Sequence, residues 1–99
     1  MAVLELSSFE MIAKSHVPGG YQCVLQFGDD TELSIISGTG AHGGEQGLYE
    51  IGIFKSGELA EMPGITWDGD HVKGYLTEGE VNAIIKKMYL ITGKTPRQL

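Results

Sequence analysis

The stretch Leu76–Gly93, LTEGEVNAIIKKMYLITG, decides the fold of this 99-residue chain. Thr77 and Glu80 have the T-x-x-E spacing of a capping box, in which each side chain accepts a hydrogen bond from the other residue's backbone N–H. Gly93 occupies the position that usually follows a helix end. The apolar residues between them follow the three, four, seven spacing of one helical face: Val81, Ile84, Ile85, Met88 and Ile91. The stretch therefore predicts a helix over residues 77–92 with one buried face.

Upstream of this helix, the sequence predicts antiparallel strands. Tyr21–Phe27 alternates in polarity, a Gly-Asp-Asp turn follows, and residues 31–37 can pair back as a hairpin. Residues 49–55 predict a third strand, and HVKGY (71–75) a short fourth one. Strands in a run followed by a helix indicate an α+β fold. We expect a three- to four-stranded antiparallel sheet within residues 21–75, with the C-terminal helix packed on one face.

The two ends of the chain carry weaker signals. Residues 1–20 contain both an alternating VLEL run and a second capping-box spacing, so a short helix and a short strand both remain open. Residues 94–99 follow the helix stop and predict a loose basic tail. The length suits one domain over residues 1–99.

Charge is distributed unevenly along the chain. Residues 1–85 hold all thirteen acids and three lysines, whereas residues 86–99 hold four basic residues and no acid. Because nonspecific nucleic-acid binding depends on Lys and Arg neutralising phosphates, the acidic body argues against direct nucleic-acid binding. It suits a basic protein partner, or simple solubility.

Composition also indicates a compartment. The single cysteine, Cys23, permits no internal disulfide, which is typical of a reducing environment. The chain shows no basic-then-apolar leader, and no apolar run approaches the roughly 20 residues of a membrane span. We expect a cytoplasmic protein with no membrane association.

A glycine-rich loop at residues 38–47, GTGAHGGEQG, is the first candidate binding element. Long loops inside compact domains are often functional. Known phosphate loops precede a helix, whereas a strand follows here and the loop contains no lysine. Three roles for this loop remain open. It can be a purely structural crossover, a segment that inserts into a partner protein, or a phosphate or nucleotide site. The candidate binding residues in the loop are Gly38, Gly40, His42, Gly43 and Gly44.

Trp67 is the second candidate, because tryptophan is enriched at binding hot spots, although it can equally close the end of a small core. Neither a catalytic nor a metal site emerges. Cys23 lies in mid-strand and has no base identified by the sequence. Counting from Asp68 in the DGDH segment, an EF-hand would need glutamate where Gly79 stands. We expect no catalytic residues, metal ligands or cofactor, and no enzymatic activity.

Three segments of the chain resemble small proteins of bacteriophage and prophage genomes. They are Ser37-Gly38 before the glycine-rich loop, the strand GLYEIGIF after it, and Gly74-Tyr75-Leu76-Thr77-Glu78 at the helix start. The resemblance covers about the last two thirds of the chain. It rests on structural motifs and transfers no functional residue, and it implies a phage-encoded accessory protein acting in the host cytoplasm.

These observations lead to two hypotheses about function. The first is a small acidic protein-interaction module. Its more specific version is a phage-encoded modulator or inhibitor of a host protein. The alternative is a protein that binds a small ligand, phosphate or nucleotide, through the glycine-rich loop. A homodimer is compatible with both, because strand edges can pair between copies.

Overall fold

The fold joins one antiparallel sheet to one helix. The structure is a computed structural model that describes residues 5–13, 19–38, 47–66 and 72–99. In chain order its elements are a 3-10 turn at Leu6–Ser8, strands β1 (Ile12–Ala13), β2 (Gly20–Phe27), β3 (Thr31–Gly38), β4 (Tyr49–Lys55), β5 (Glu58–Ala60) and β6 (Val72–Leu76), helix α1 (Glu78–Thr92) and strand β7 (Arg97–Gln98). The predicted α+β class and C-terminal helix are confirmed. The predicted sheet size is wrong, since the sheet has seven strands among the described residues.

The extra strands are short pieces that line the two outer edges of the sheet. β2, β3 and β4 form its centre, β1 and β7 pair with opposite ends of β2, and β5 and β6 pair with opposite ends of β4. A strand of two or three residues is too short to show an alternating pattern, so the sequence predicted only the longer members. A two-residue turn, Ser56-Gly57, joins β4 to β5, and its φ values of 53° and 83° match those of the tight turns that close hairpins.

The inner face of the sheet carries the core. Pairing sets Cys23 beside Ile35 and Leu25 beside Leu33, and β4 continues both rows. Phe27 extends this face towards the hairpin turn and is 2% exposed. The residues with no exposure on this face are Leu25, Leu33, Ile35, Ile51 and Ile53. The predicted alternation of β2 is therefore confirmed at Cys23, Leu25 and Phe27.

Helix α1 covers this inner face. The predicted capping box is present, with Glu80 N–H donating to Thr77 Oγ1 at 3.2 Å and Thr77 N–H donating to Glu80 Oε1 at 3.0 Å. The predicted buried face is confirmed at Val81, Ile84, Ile85 and Met88. It is wrong at Ile91, which is 50% exposed. Met88 is the last fully buried residue of the helix, and the half-buried Tyr89 after it packs against the core.

The C-terminal tail is held by hydrogen bonds, contrary to the prediction of a loose segment at residues 94–99. β7 pairs with β2, and Leu99 N–H donates to the Val24 carbonyl at 3.0 Å. The Gln98 side-chain amide also bonds both the N–H and the carbonyl of Glu10. The tail therefore joins β2 to the N-terminal segment.

The N-terminal segment contains a 3-10 turn at Leu6–Ser8 and the short strand β1 at Ile12–Ala13. The buried residue Leu6 lies in the 3-10 turn, and its N–H donates to Asn82 Oδ1 of α1 at 2.6 Å. β1 follows and pairs with β2. Within the described ranges, no helix is long and apolar enough to cross a bilayer.

Candidate functional site

Most of the predicted binding residues lie outside the described ranges. These are Gly40, His42, Gly43 and Gly44 in the glycine-rich loop, together with Trp67. The DGDH segment at residues 68–71 also lies outside them. The structure therefore leaves the loop hypothesis and the Trp67 hypothesis as predictions. Only Gly38 among these candidates can be examined.

Gly38 is accounted for by strand packing. It ends β3 opposite Gly20, with a φ of 87° that side chains rarely adopt. A Cβ at this position would overlap the carbonyl oxygen of Gly19 and lie 2.9 Å from its carbonyl carbon. Because the neighbouring backbone needs this space, the glycine is required whether or not a ligand binds nearby.

Cys23 is placed unfavourably for a catalytic role. Cys23 is 1% exposed, and burial raises the pKa of its thiol to about 11. The reactive thiolate is therefore scarce at neutral pH. Across the described part of the chain, no three His, Cys, Asp or Glu side chains gather closely enough to hold a metal ion.

The side of the sheet opposite α1 is the first candidate surface, and we call it the outer face. Strand register arranges it in three rows across the sheet. They are Ile12, Gln22, Ile36 and Glu50; then Leu99, Val24, Ser34, Gly52 and Val72; and then Arg97, Gln26, Glu32, Phe54 and Leu59. Seven of these residues are apolar, although the helix packs on the other side.

Exposure on the outer face increases from its centre to its edges. Ser34 and Gly52 are buried at the centre, where Gln22 Nε2 donates to Ser34 Oγ at 2.9 Å. Val24, Ile36 and Phe54 are half-buried around them. The edge residues are the most open: Ile12 at 53%, Leu59 at 42%, Val72 at 41% and Leu99 at 56% exposed. The surface thus combines small central residues with apolar residues at its borders.

A second candidate lies where the tail meets the β2–β3 turn. This cleft, which we call the tail cleft, has a volume of about 370 Å³ and is lined by Gln26, Gly28, Asp29, Lys94, Thr95 and Arg97. Arg97 Nη2 donates to Gln26 Oε1 at 2.6 Å, and Gln26 Nε2 donates to the Asp29 carbonyl at 3.5 Å. Two cations, one carboxylate and one hydroxyl therefore border the same open space.

Sequence reasoning missed both surfaces for identifiable reasons. The outer face could be anticipated in part, because Val24 and Ile36 are apolar residues on the polar side of their strands. Its edge residues Ile12 and Leu59 lie in strands of two and three residues, which are too short to predict. Val72 lies in the predicted fourth strand. The tail cleft joins the acid-free residues 86–99 to a turn some 65 residues earlier, a separation that no local pattern spans.

Comparisons with protein-family models, with curated proteins and with solved structures gave no match to this chain.

Proposed function

We propose that this protein is a non-catalytic protein-interaction module that docks through its outer face. The observation that carries the proposal is the set of apolar side chains on the side of the sheet away from α1. Contiguous exposed apolar surface on a small domain is typical of an interaction site.

The partner we propose is a protein whose apolar surface is bordered by basic residues. Glu32 and Glu50 lie on the outer face, and Arg97 lies at one corner. The chain carries a formal charge of −6, and Lys86 and Lys87 lie on the helix, on the other side of the sheet. An acidic body of this kind speeds association with a basic partner. A phage-encoded modulator of a host protein in the host cytoplasm is the form of this proposal that the sequence resemblance suggests.

The test compares charge-matched variants in affinity capture followed by binding measurements with the purified partner. Leu59→Lys and Val72→Lys each place a positive charge at the border of the outer face. Leu90→Lys places the same charge at an apolar helix residue that is 68% exposed. We expect the two face variants to weaken binding at least about tenfold, since each buries an unpaired charge against a basic rim. The helix variant should bind within about twofold of the wild type.

Three outcomes would count against the proposal. Equal losses in all three variants would mean that the outer face has no special role, and so would no loss in any of them. Sedimentation of the free protein supplies the third outcome. A wild-type dimer that Leu59→Lys or Val72→Lys makes monomeric would show that a second copy occupies the face, in place of a basic partner. Unfolding curves for each variant establish that any loss of binding does not come from loss of the folded structure.

A further inference from the structure

The tail cleft holds two cations that no acidic residue within the described ranges neutralises. Lys94 and Arg97 line the cleft, and neither forms an ion pair with any described residue. Asp29 lines the same cleft without pairing to either cation. In a chain with thirteen acids and seven basic residues, the structure thus gathers two positive side chains around an open volume. That arrangement suits an anion from solution.

Lys94 is positioned by its contact with the β2–β3 turn. Gly28 begins this turn with a φ of 84°, and a Cβ there would lie 3.3 Å from Lys94 Cγ. The lysine stem therefore crosses the turn closely, which glycine permits and a larger residue would obstruct. This contact holds the lysine stem beside the turn, while the Lys94 backbone N–H donates to Thr92 Oγ1 at 3.1 Å.

Arg97 is positioned by both its backbone and its side chain. Its backbone pairs with Gln26 in the sheet, and its guanidinium donates to the side-chain oxygen of the same residue at 2.6 Å. A guanidinium has five N–H donors, so one bond orients the group and leaves others available. The orientation is therefore fixed in the absence of any ligand.

We propose that the tail cleft binds a small oxyanion, a phosphate or carboxylate group, between Lys94 and Arg97. Phosphates and carboxylates are the groups that a guanidinium fork and an ammonium recognise through charge-assisted hydrogen bonds. The Thr95 hydroxyl lines the same space and offers a neutral donor. The volume lies at the lower end of the range for small-molecule sites.

The same geometry limits the ligand. The Asp29 carboxylate and the carboxyl end of α1 both repel negative charge, so densely charged polyanions are disfavoured. Asp29 can instead accept a hydrogen bond from a hydroxyl group on the ligand. We expect a compound with one phosphate or carboxylate group, and free inorganic phosphate should bind in the millimolar range. The cleft shares Gln26 and Arg97 with one corner of the outer face and lies apart from the centre of that face at Ser34 and Gly52.

The experiment is an amide chemical-shift titration with inorganic phosphate and, in a second arm, acetate, with chloride adjusted to constant ionic strength. We expect saturable shifts centred on the amides of Gly28, Asp29, Lys94, Thr95 and Arg97. Saturation by both anions identifies a general oxyanion site, and saturation by phosphate alone narrows the ligand to phosphate compounds. Linear shifts, or shifts spread over the whole domain, would overturn the proposal.

Charge-matched variants complete the test. Lys94→Gln should weaken binding about tenfold, because it removes one charge-assisted hydrogen bond. Lys86→Gln removes the same charge from an exposed helix position and should leave binding unchanged. Arg97→Gln is a second cleft variant and should also weaken binding. Equal weakening by Lys86→Gln would show that the anion responds only to net charge, which contradicts a built site.

Discussion

Alanine at Gly38 should destabilise the fold much more than alanine at Gly47. The two glycines flank the glycine-rich loop and have similar backbone angles, with φ values of 87° and 76°. Their surroundings differ. A Cβ at position 38 would overlap the Gly19 carbonyl oxygen, and it would also lie 3.0 Å from Gly20 Cα. At position 47 nothing lies within 4 Å of the added carbon.

The expected magnitudes follow from this difference. An alanine with positive φ costs about 1–2 kcal/mol at either position, because its Cβ crowds the following carbonyl oxygen. At position 38 the overlap involves backbone, which cannot rotate away. The end of the β2–β3 ladder must therefore open at the Gly20–Gly38 pair. Forcing atoms into a filled site adds about 1–3 kcal/mol. We expect about 2–5 kcal/mol for Gly38→Ala and about 1–2 kcal/mol for Gly47→Ala.

Urea unfolding followed by circular dichroism measures both free energies, and the slopes of the two curves show whether the unfolding transition is the same. Equal losses, within the roughly 0.5 kcal/mol that such comparisons resolve, would refute the close approach of Gly19. A Gly38→Ala variant with unchanged stability and altered ligand binding would instead support a binding role for this residue.

Three further predictions concern the helix and the core. Ile85→Ala should lower the free energy of unfolding by about 2–5 kcal/mol, because Ile85 is fully buried. Ile91→Ala at the half-exposed site should lower it by under about 1 kcal/mol. Equal losses in urea unfolding would contradict the orientation of α1. Thr77→Ala should cost about 1 kcal/mol in the same assay. The hydrogen bond from the Thr77 backbone lowers the pKa of Glu80 below its ordinary value of 4.5. The ionised Glu80 therefore stabilises the fold above pH 4.5, and this stabilisation is lost as the pH falls through the lowered pKa. Glu80→Gln should therefore reduce the dependence of the free energy of unfolding on pH in this acidic range. An unchanged pH dependence would contradict the capping box. Cys23 should resist a thiol reagent at about pH 8 until the protein unfolds, and rapid labelling of Cys23 in the folded protein would contradict its burial. Because burial raises the pKa of the thiol, the contribution of the buried neutral thiol to stability should be lost between pH 9.0 and about 11.

The parts of the fold that the sequence predicted are those whose signals are local. The capping box depends on two residues three apart, and the buried face of α1 depends on a spacing within one helix. The β2–β3 hairpin joins two alternating runs across a short turn, so its register follows from nearby residues. The exposed Ile91 marks the limit of this reasoning, because periodicity assigns a residue to a face but does not say where the core beneath that face ends.

The sequence by itself determined the α+β class, the helix with its cap, the central hairpin and the strand after the glycine-rich loop. Only the tertiary structure decided that the tail joins the sheet, that short strands line both edges, and that Lys94 and Arg97 meet the turn at Gly28. The position of the tail depends on contacts between residues 71 and 88 positions apart, such as Arg97 with Gln26 and Gln98 with Glu10. Local propensity cannot specify such contacts, because they form only after the core has brought distant segments together.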